Sequence, residues 1–66
     1  MEVNVDRLKE LRIDQGLSQR ALADRAGLSQ TSVWKIERGG GANPATLKKL
    51  ADVLGVRPTE LVKGNG

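Results

Sequence analysis

The sequence predicts an all-α fold, one compact domain of five short helices, and three observations carry that prediction. Apolar residues recur at three- and four-residue spacing along most of the chain. Small polar residues suited to cap helices alternate with glycines suited to end them. No stretch alternates apolar and polar residues as a half-buried strand would, and no unit repeats at a fixed period. A length of 66 residues leaves room for one hydrophobic core, so residues 1–66 read as a single domain with its core over about 5–63.

Taken in order, Met1 to Val3 are expected to fray, and Asn4 or Asp6 to cap a first helix running to about Gln15 with Leu8 and Leu11 inward. Gly16 stops that helix, and Leu17 plugs the corner that follows. Ser18 is a good N-cap for a second helix opened by Gln19, in which Leu22, Ala23 and Ala26 form a narrow apolar stripe while Arg20, Asp24 and Arg25 fall on other faces. Gly27 can take the left-handed conformation that ends a helix, with Leu28 tucking back as its apolar partner. Ser29 caps a third helix, about 30–38, that buries Val33 and Ile36. At about 100° per residue its opposite side collects Thr31 and Lys35, with Gln30, Ser32 and Trp34 at the margins. Two short helices meeting at a Gly-Leu-Ser corner, with small Ala23 where they cross, make a helix-turn-helix.

Beyond Arg38, the stretch from Gly39 to Asn43 reads as a flexible connector that offers backbone amides but no cationic side chain. Asn43 followed by Pro44 is an N-cap with proline at the first helical position, and Leu47, Leu50, Ala51 and Leu54 give the fourth helix its stripe. Gly55 closes it and Val56 folds back. Pro58 opens a fifth short helix carrying Leu61 and Val62 before a flexible Gly64-Asn65-Gly66 end. Arg12 lies beside Leu11 on the edge of the buried face, where its charge needs a carboxylate partner. Glu37, next to Ile36 on the buried side of the third helix, is that candidate.

Composition narrows the function. There is no cysteine, no histidine and no apolar run long enough to span a bilayer, which argues against disulfides, thiolate or imidazole metal sites and membrane insertion. Neither metal nor cofactor is expected. No serine has an evident base to activate it, so an enzyme is not expected. The opening MEVNVDRLKE lacks the features of a secretory signal, and a cytoplasmic protein is the expectation. Lysine and arginine exceed aspartate and glutamate by 11 to 8, a net charge of +3 that favours a polyanionic partner without specifying one.

Leu17-Ser18-Gln19, Leu22-Ala23, Gly27, Ser29-Gln30, Val33, Ile36-Glu37-Arg38-Gly39, Leu47, Leu50-Ala51 and Leu54-Gly55-Val56 follow one another in an order that resembles the phage repressor and Cro family, also called XRE. The resemblance covers about residues 5–63 without a gap. It implies a repressor-like domain that binds double-stranded operator DNA with its third helix in the major groove. It implies that Gln19 contacts a backbone phosphate and braces Gln30, and that Gln30 pairs with the N6 and N7 edge of an adenine. Thr31 would read beside it through a thymine methyl or a hydrogen bond, and Lys35 through guanine O6 and N7 or a phosphate. Ser18, Gln19, Arg38 and Asn43 fall where the family places phosphate contacts, while Arg12 and Glu37 match its buried ion pair. Lys48 and Lys49 read as a solvated face.

Two departures from the family stand out. Relatives often carry lysines or arginines in the connector, where this chain has Gly40, Gly41, Ala42 and Ala45, so weaker binding is expected. Trp34 stands where the family usually has a small or polar residue. Its ring either packs on the protein as a partly exposed group or joins Gln30, Thr31 and Lys35 on the reading face by pressing on sugars and thymine methyls. The expected function is a sequence-specific transcriptional regulator, a repressor before an activator. The alternative is a protein-interaction module or antitoxin-type component on the same fold. A palindromic operator would be met by a weak homodimer through the fifth-helix region, where Pro58, Leu61 and Val62 are the nearest apolar surface; the alternative use of the same residues is to close a monomer's core.

Overall fold

The structure, a computed structural model, describes residues 2–63; the expectations for Met1 and for Gly64-Asn65-Gly66 fall outside that range. In chain order come α1 (Val5–Asp14), α2 (Gln19–Ala26), α3 (Gln30–Lys35), a wide π-type turn (Ile36–Gly40), α4 (Pro44–Leu54) and a 3-10 turn (Pro58–Leu61). Every α-helix starts on a side-chain cap. Asn4 accepts from the Arg7 amide at 3.1 Å, Ser18 from Ala21 at 3.0 Å, Ser29 from Ser32 at 3.1 Å and Asn43 from Thr46 at 2.8 Å. Each oxygen satisfies an amide that the first helical turn leaves without a partner.

Three of the four α-helices end in the same way. Gly27 adopts φ +69°, which lets the Leu28 amide donate back to the Ala23 carbonyl at 2.8 Å. The same five-residue return closes α1, from Leu17 to Arg12 at 3.0 Å, and α4, from Val56 to Ala51 at 3.1 Å. Each return tucks an apolar side chain against the end of its helix. The core between the helices is aliphatic: Leu8, Leu22, Val33, Leu47, Leu50 and Leu61 are fully buried, so every helical segment contributes to it.

Several expectations need correction. Val3 does not fray. It is buried in the core and forms an antiparallel bridge with Val62, flanked by the Asn4 amide on Leu61 O at 2.8 Å and the Lys63 amide on Glu2 O at 3.1 Å. An apolar side chain that can reach the core gains more than a terminus gains by staying free. The fifth helix is a single 3-10 turn, because Val62 leaves it in extended backbone to pair with Val3. Of the two uses open to Leu61, a surface for a second copy or closure of its own core, the structure has the second: it is fully buried. α1 ends at Asp14, with Gln15 as its C-cap and the Gln15 side chain donating to the Leu54 carbonyl at 2.7 Å.

The third helix also departs from its expected span. Regular α hydrogen bonding stops at Lys35, and the chain continues to Gly40 as the wide turn, in which the backbone angles first leave the helical region at Gly39, φ +94°. Gly39 and Gly40, expected as part of a slack connector, therefore belong to that turn. A Cβ at Gly40 would stand 2.8 Å from the Lys35 carbonyl oxygen, so the backbone passes where a side chain has no room. Ala42 beyond it packs on the core.

The turn is anchored from inside by Glu37, the one charged residue buried among those described. Arg12 grips both of its oxygens, Nε to Oε2 at 2.7 Å and Nη2 to Oε1 at 3.1 Å, and its Nη1 donates to Leu17 O at 2.9 Å. The pairing expected for Arg12 is thus present, and it ties α1 to the turn after α3. Removing one partner of a buried pair leaves the other desolvated, so Arg12→Ala should cost about 3 kcal/mol, read as a lowered thermal midpoint. Gly40→Ala should also destabilise, by about 1–3 kcal/mol, because the Lys35 carbonyl is backbone and cannot swing aside; unchanged unfolding in denaturant would show that the turn relaxes freely.

Candidate nucleic-acid interface

α3 has six residues, too few to hold a helix in water on its own propensity, so its position is set by what it buries. Val33 and Ile36 supply that anchor, and Ala23 and Ala26 of α2 are small enough to let the two helices approach. The opposite side then faces out: Gln30, Thr31, Trp34 and Lys35 are all exposed. Ser32 is half-buried, its hydroxyl 2.9 Å from that of Ser29, which holds it in the cap region. Gln30, Thr31 and Trp34 line a shallow recess of about 180 Å³. Trp34 is also a wall of a larger open cleft of about 530 Å³, bounded by Lys35, Arg38, the three connector glycines and the start of α4. The Arg38 guanidinium lies over the Trp34 ring, 4.7 Å from its centroid.

One role implied by the resemblance is corrected. Gln19 does not brace Gln30; its Nε2 donates to Glu37 Oε1 at 3.1 Å. A buried carboxylate with acceptor capacity beyond its two arginine bonds is a stronger partner for an amide than another exposed amide. Ser18 and Asn43 are placed as expected at the starts of α2 and α4, and both are exposed.

Charge is divided unevenly along the fold. From residue 19 to residue 40 the chain carries Arg20, Arg25, Lys35 and Arg38 against Asp24 and Glu37, and Glu37 is neutralised from outside the segment by Arg12. None of those four cations forms an ion pair among the described residues; outside the segment Arg7, Lys48 and Lys63 are each paired with an acid, and Lys9, Lys49 and Arg57 are not. Lys48 meets Asp52 on the outer surface of α4, the solvated face expected there.

The helix starts follow the same division. α1 has Asp6 in its first turn and the 3-10 turn has Glu60, but α2, α3 and α4 have no acid in theirs. The partial positive charge of those three starts is left without an internal carboxylate. Arg20, in the first turn of α2, even adds to it. Periodicity singled out neither Arg20 nor Arg25; the signal that could have found Arg20 is a cation at a helix start, where the helix dipole disfavours it, whereas Arg25 lies in the last turn of α2, where a cation is ordinary.

The comparisons with known proteins agree with this geometry. A family model described as helix-turn-helix matches residues 8–61. The chain is 41% identical over 61 residues to the SPbeta prophage-derived uncharacterized HTH-type transcriptional regulator YonR of Bacillus subtilis, covering 89% of this chain and 56% of that protein. Among solved structures, it superposes on the restriction-modification controller protein C.AhdI from Aeromonas hydrophila with a TM-score of 0.80 and 40% identity, over 85% of this chain and 86% of that one. It also superposes on the master regulator for biofilm formation SinR in complex with DNA, with a TM-score of 0.74 and 33% identity, over 83% of this chain and 90% of that one. The chain spans between 23% and 56% of the length of the curated relatives it matches. With 54 consecutive residues, 8 through 61, inside the family model, the chain belongs to the helix-turn-helix family.

Proposed function

We propose that the chain binds double-stranded DNA as a sequence-specific transcriptional regulator, most simply a repressor, with α3 seated in the major groove. The observation that carries this reading is the coincidence on α2 and α3 of cations without internal partners, helix starts without acids, and an exposed polar face on α3. A polyanion supplies the missing charge, and phosphates suit both arginine side chains and helix starts. The SinR structure, a DNA complex of similar fold, supports the same reading.

Gln30, Thr31 and Lys35 read base edges. Gln30 offers the paired donor and acceptor that an adenine edge matches, Thr31 a methyl and a hydroxyl, and Lys35 a cation for guanine O6 and N7. Ser18, Gln19, Arg38 and Asn43 hold the phosphates, with Arg20 as an added candidate. Gln19 keeps one amide hydrogen for that role after its bond to Glu37. No described helix is long and apolar enough to cross a membrane, and the working partner is DNA in the cytoplasm. Two copies occupy a palindromic site, but with Leu61 buried the fifth-segment region offers little apolar area between them. Association without DNA is therefore weak.

Selection from a random DNA pool would supply the preferred duplex. Gln30→Ala should lose about 1–3 kcal/mol on that duplex and little on random DNA, because a bidentate base contact goes while general attraction stays. Arg38→Ala should weaken both duplexes alike and flatten the plot of log affinity against log salt by about one unit, as one phosphate contact and its counterion are lost. Equal losses for Gln30→Ala on the two duplexes would remove it from the reading face. In sedimentation, the free chain should run as a monomer at micromolar concentration and two copies should join one palindromic duplex; a stable dimer without DNA would refute the weak-association reading.

A further inference from the structure

Trp34 is the only aromatic residue of the chain, and it stays outside a core that aliphatic side chains fill, with 46% of its surface exposed. An indole is the side chain with most to gain from burial, so its place on a cationic surface calls for a use there. What it touches is Arg38, one helical turn on, with the guanidinium carbon 4.7 Å from the ring centroid. Arg38 has no carboxylate partner among the described residues. A cation over a ring face is held through its charge, and the N–H donors of Arg38 make no hydrogen bond among the described residues. The contact therefore holds the group without using its donors. Trp34 also stands between two surfaces, the recess with Gln30 and Thr31 and the cleft with Arg38 and the glycine turn.

We propose that Trp34 is a positioning residue: it holds the Arg38 guanidinium against the end of α3 with its N–H donors free for a DNA phosphate, and does not itself read a base. This rests on the DNA-binding reading above. A long arginine side chain at a helix end loses freedom when it engages a phosphate, and a ring partner already in place removes part of that loss before DNA arrives. The contact is intramolecular and sequence-independent, so its contribution falls equally on every duplex.

The test combines binding with emission from this single tryptophan. Trp34→Ala should weaken the preferred and random duplexes by the same factor, about two- to fivefold, the affinity equivalent of an exposed cation–π contact. Trp34→Phe, which keeps a ring face, should recover most of the loss, and Trp34→Ala should add nothing in an Arg38→Ala background. The thermal midpoint of Trp34→Ala should stay close to that of the parent, since the ring is outside the core. Without DNA, Arg38→Ala should change the intensity or wavelength of Trp34 emission, because the cation leaves the ring. Loss confined to the preferred duplex, or an undiminished loss in the Arg38→Ala background, would overturn the proposal in favour of base reading. Unchanged emission would overturn it by showing that the pair does not form in solution. Absence of salt-dependent binding to any duplex by the parent chain would overturn the DNA reading and this role together, and the emission experiment, done without DNA, tells that failure from a failure of the pair.

Discussion

The carboxylate of Glu37 is the constraint on which the rest of the interface depends. It is buried in the turn that follows α3, and four hydrogen bonds converge on it or on its partner: two from Arg12, one from Gln19, and the third Arg12 donor on Leu17 O. Those residues come from α1, from the corner after it, and from the first position of α2. One buried charge thus fixes the start of α2 and the end of α3 relative to the same helix. An aliphatic replacement could be as stable, since burying an ion pair is expensive in desolvation. What apolar packing lacks is direction. A guanidinium that meets both carboxylate oxygens and a backbone carbonyl accepts one geometry, and this sets the angle at which a six-residue helix leaves the core.

That helix has little else to hold it. Val33 and Ile36 give it an apolar anchor, the Ser29 cap satisfies its first turn, and the glycine-dependent turn ends it against its own Lys35 carbonyl. Each device leaves the outer side chains free. Gln30 and Thr31 have no part in the fold's described side-chain bonds, and the ring of Trp34 carries the Arg38 guanidinium. Structure and surface are assigned to different residues of the same few turns.

Most of the architecture was legible in the sequence because helix punctuation is local chemistry. Ser18, Ser29 and Asn43 act within three residues of where they stand, and Gly27 and Gly55 end helices by their own φ. The Arg12 and Glu37 pairing was legible for another reason, since two charges on the edges of apolar faces have to find each other. What could not be read depends on contacts distant in sequence. The Val3 and Val62 bridge joins the two ends of the chain; an apolar residue just before a cap is the outer half of a hydrophobic staple, with Leu8 as the inner half, but nothing local marks Val62 as the strand partner of Val3. Likewise, the end of α3 is decided by how the turn fits over the Lys35 carbonyl, which composition presents only as a run of glycines. Gln19 looked like a brace for Gln30 because both are glutamines at helix starts; the buried carboxylate that captures it is visible only once α1 and α3 are packed.

The division of charge gives the interface its sense. Several acids and bases meet within this fold: Arg7 with Glu10 and Glu60, Lys48 with Asp52, Lys63 with Glu2, and Arg12 with Glu37. Exposed pairs of this kind contribute little stability, but they cancel the field over the surfaces that carry them. The segment from α2 through the wide turn breaks the pattern, because its one buried acid is committed to an arginine from α1 and its helix starts carry no carboxylate. A net charge of +3 is modest for a 66-residue chain, yet the cations left uncancelled there concentrate it beside the exposed face of α3, where Gln30, Thr31 and Lys35 make no side-chain hydrogen bond among the described residues. An electrostatic attraction that is general in the duplex backbone and a polar face that is particular in its groups are the two ingredients that sequence-specific recognition combines, and here both come from the same pair of helices.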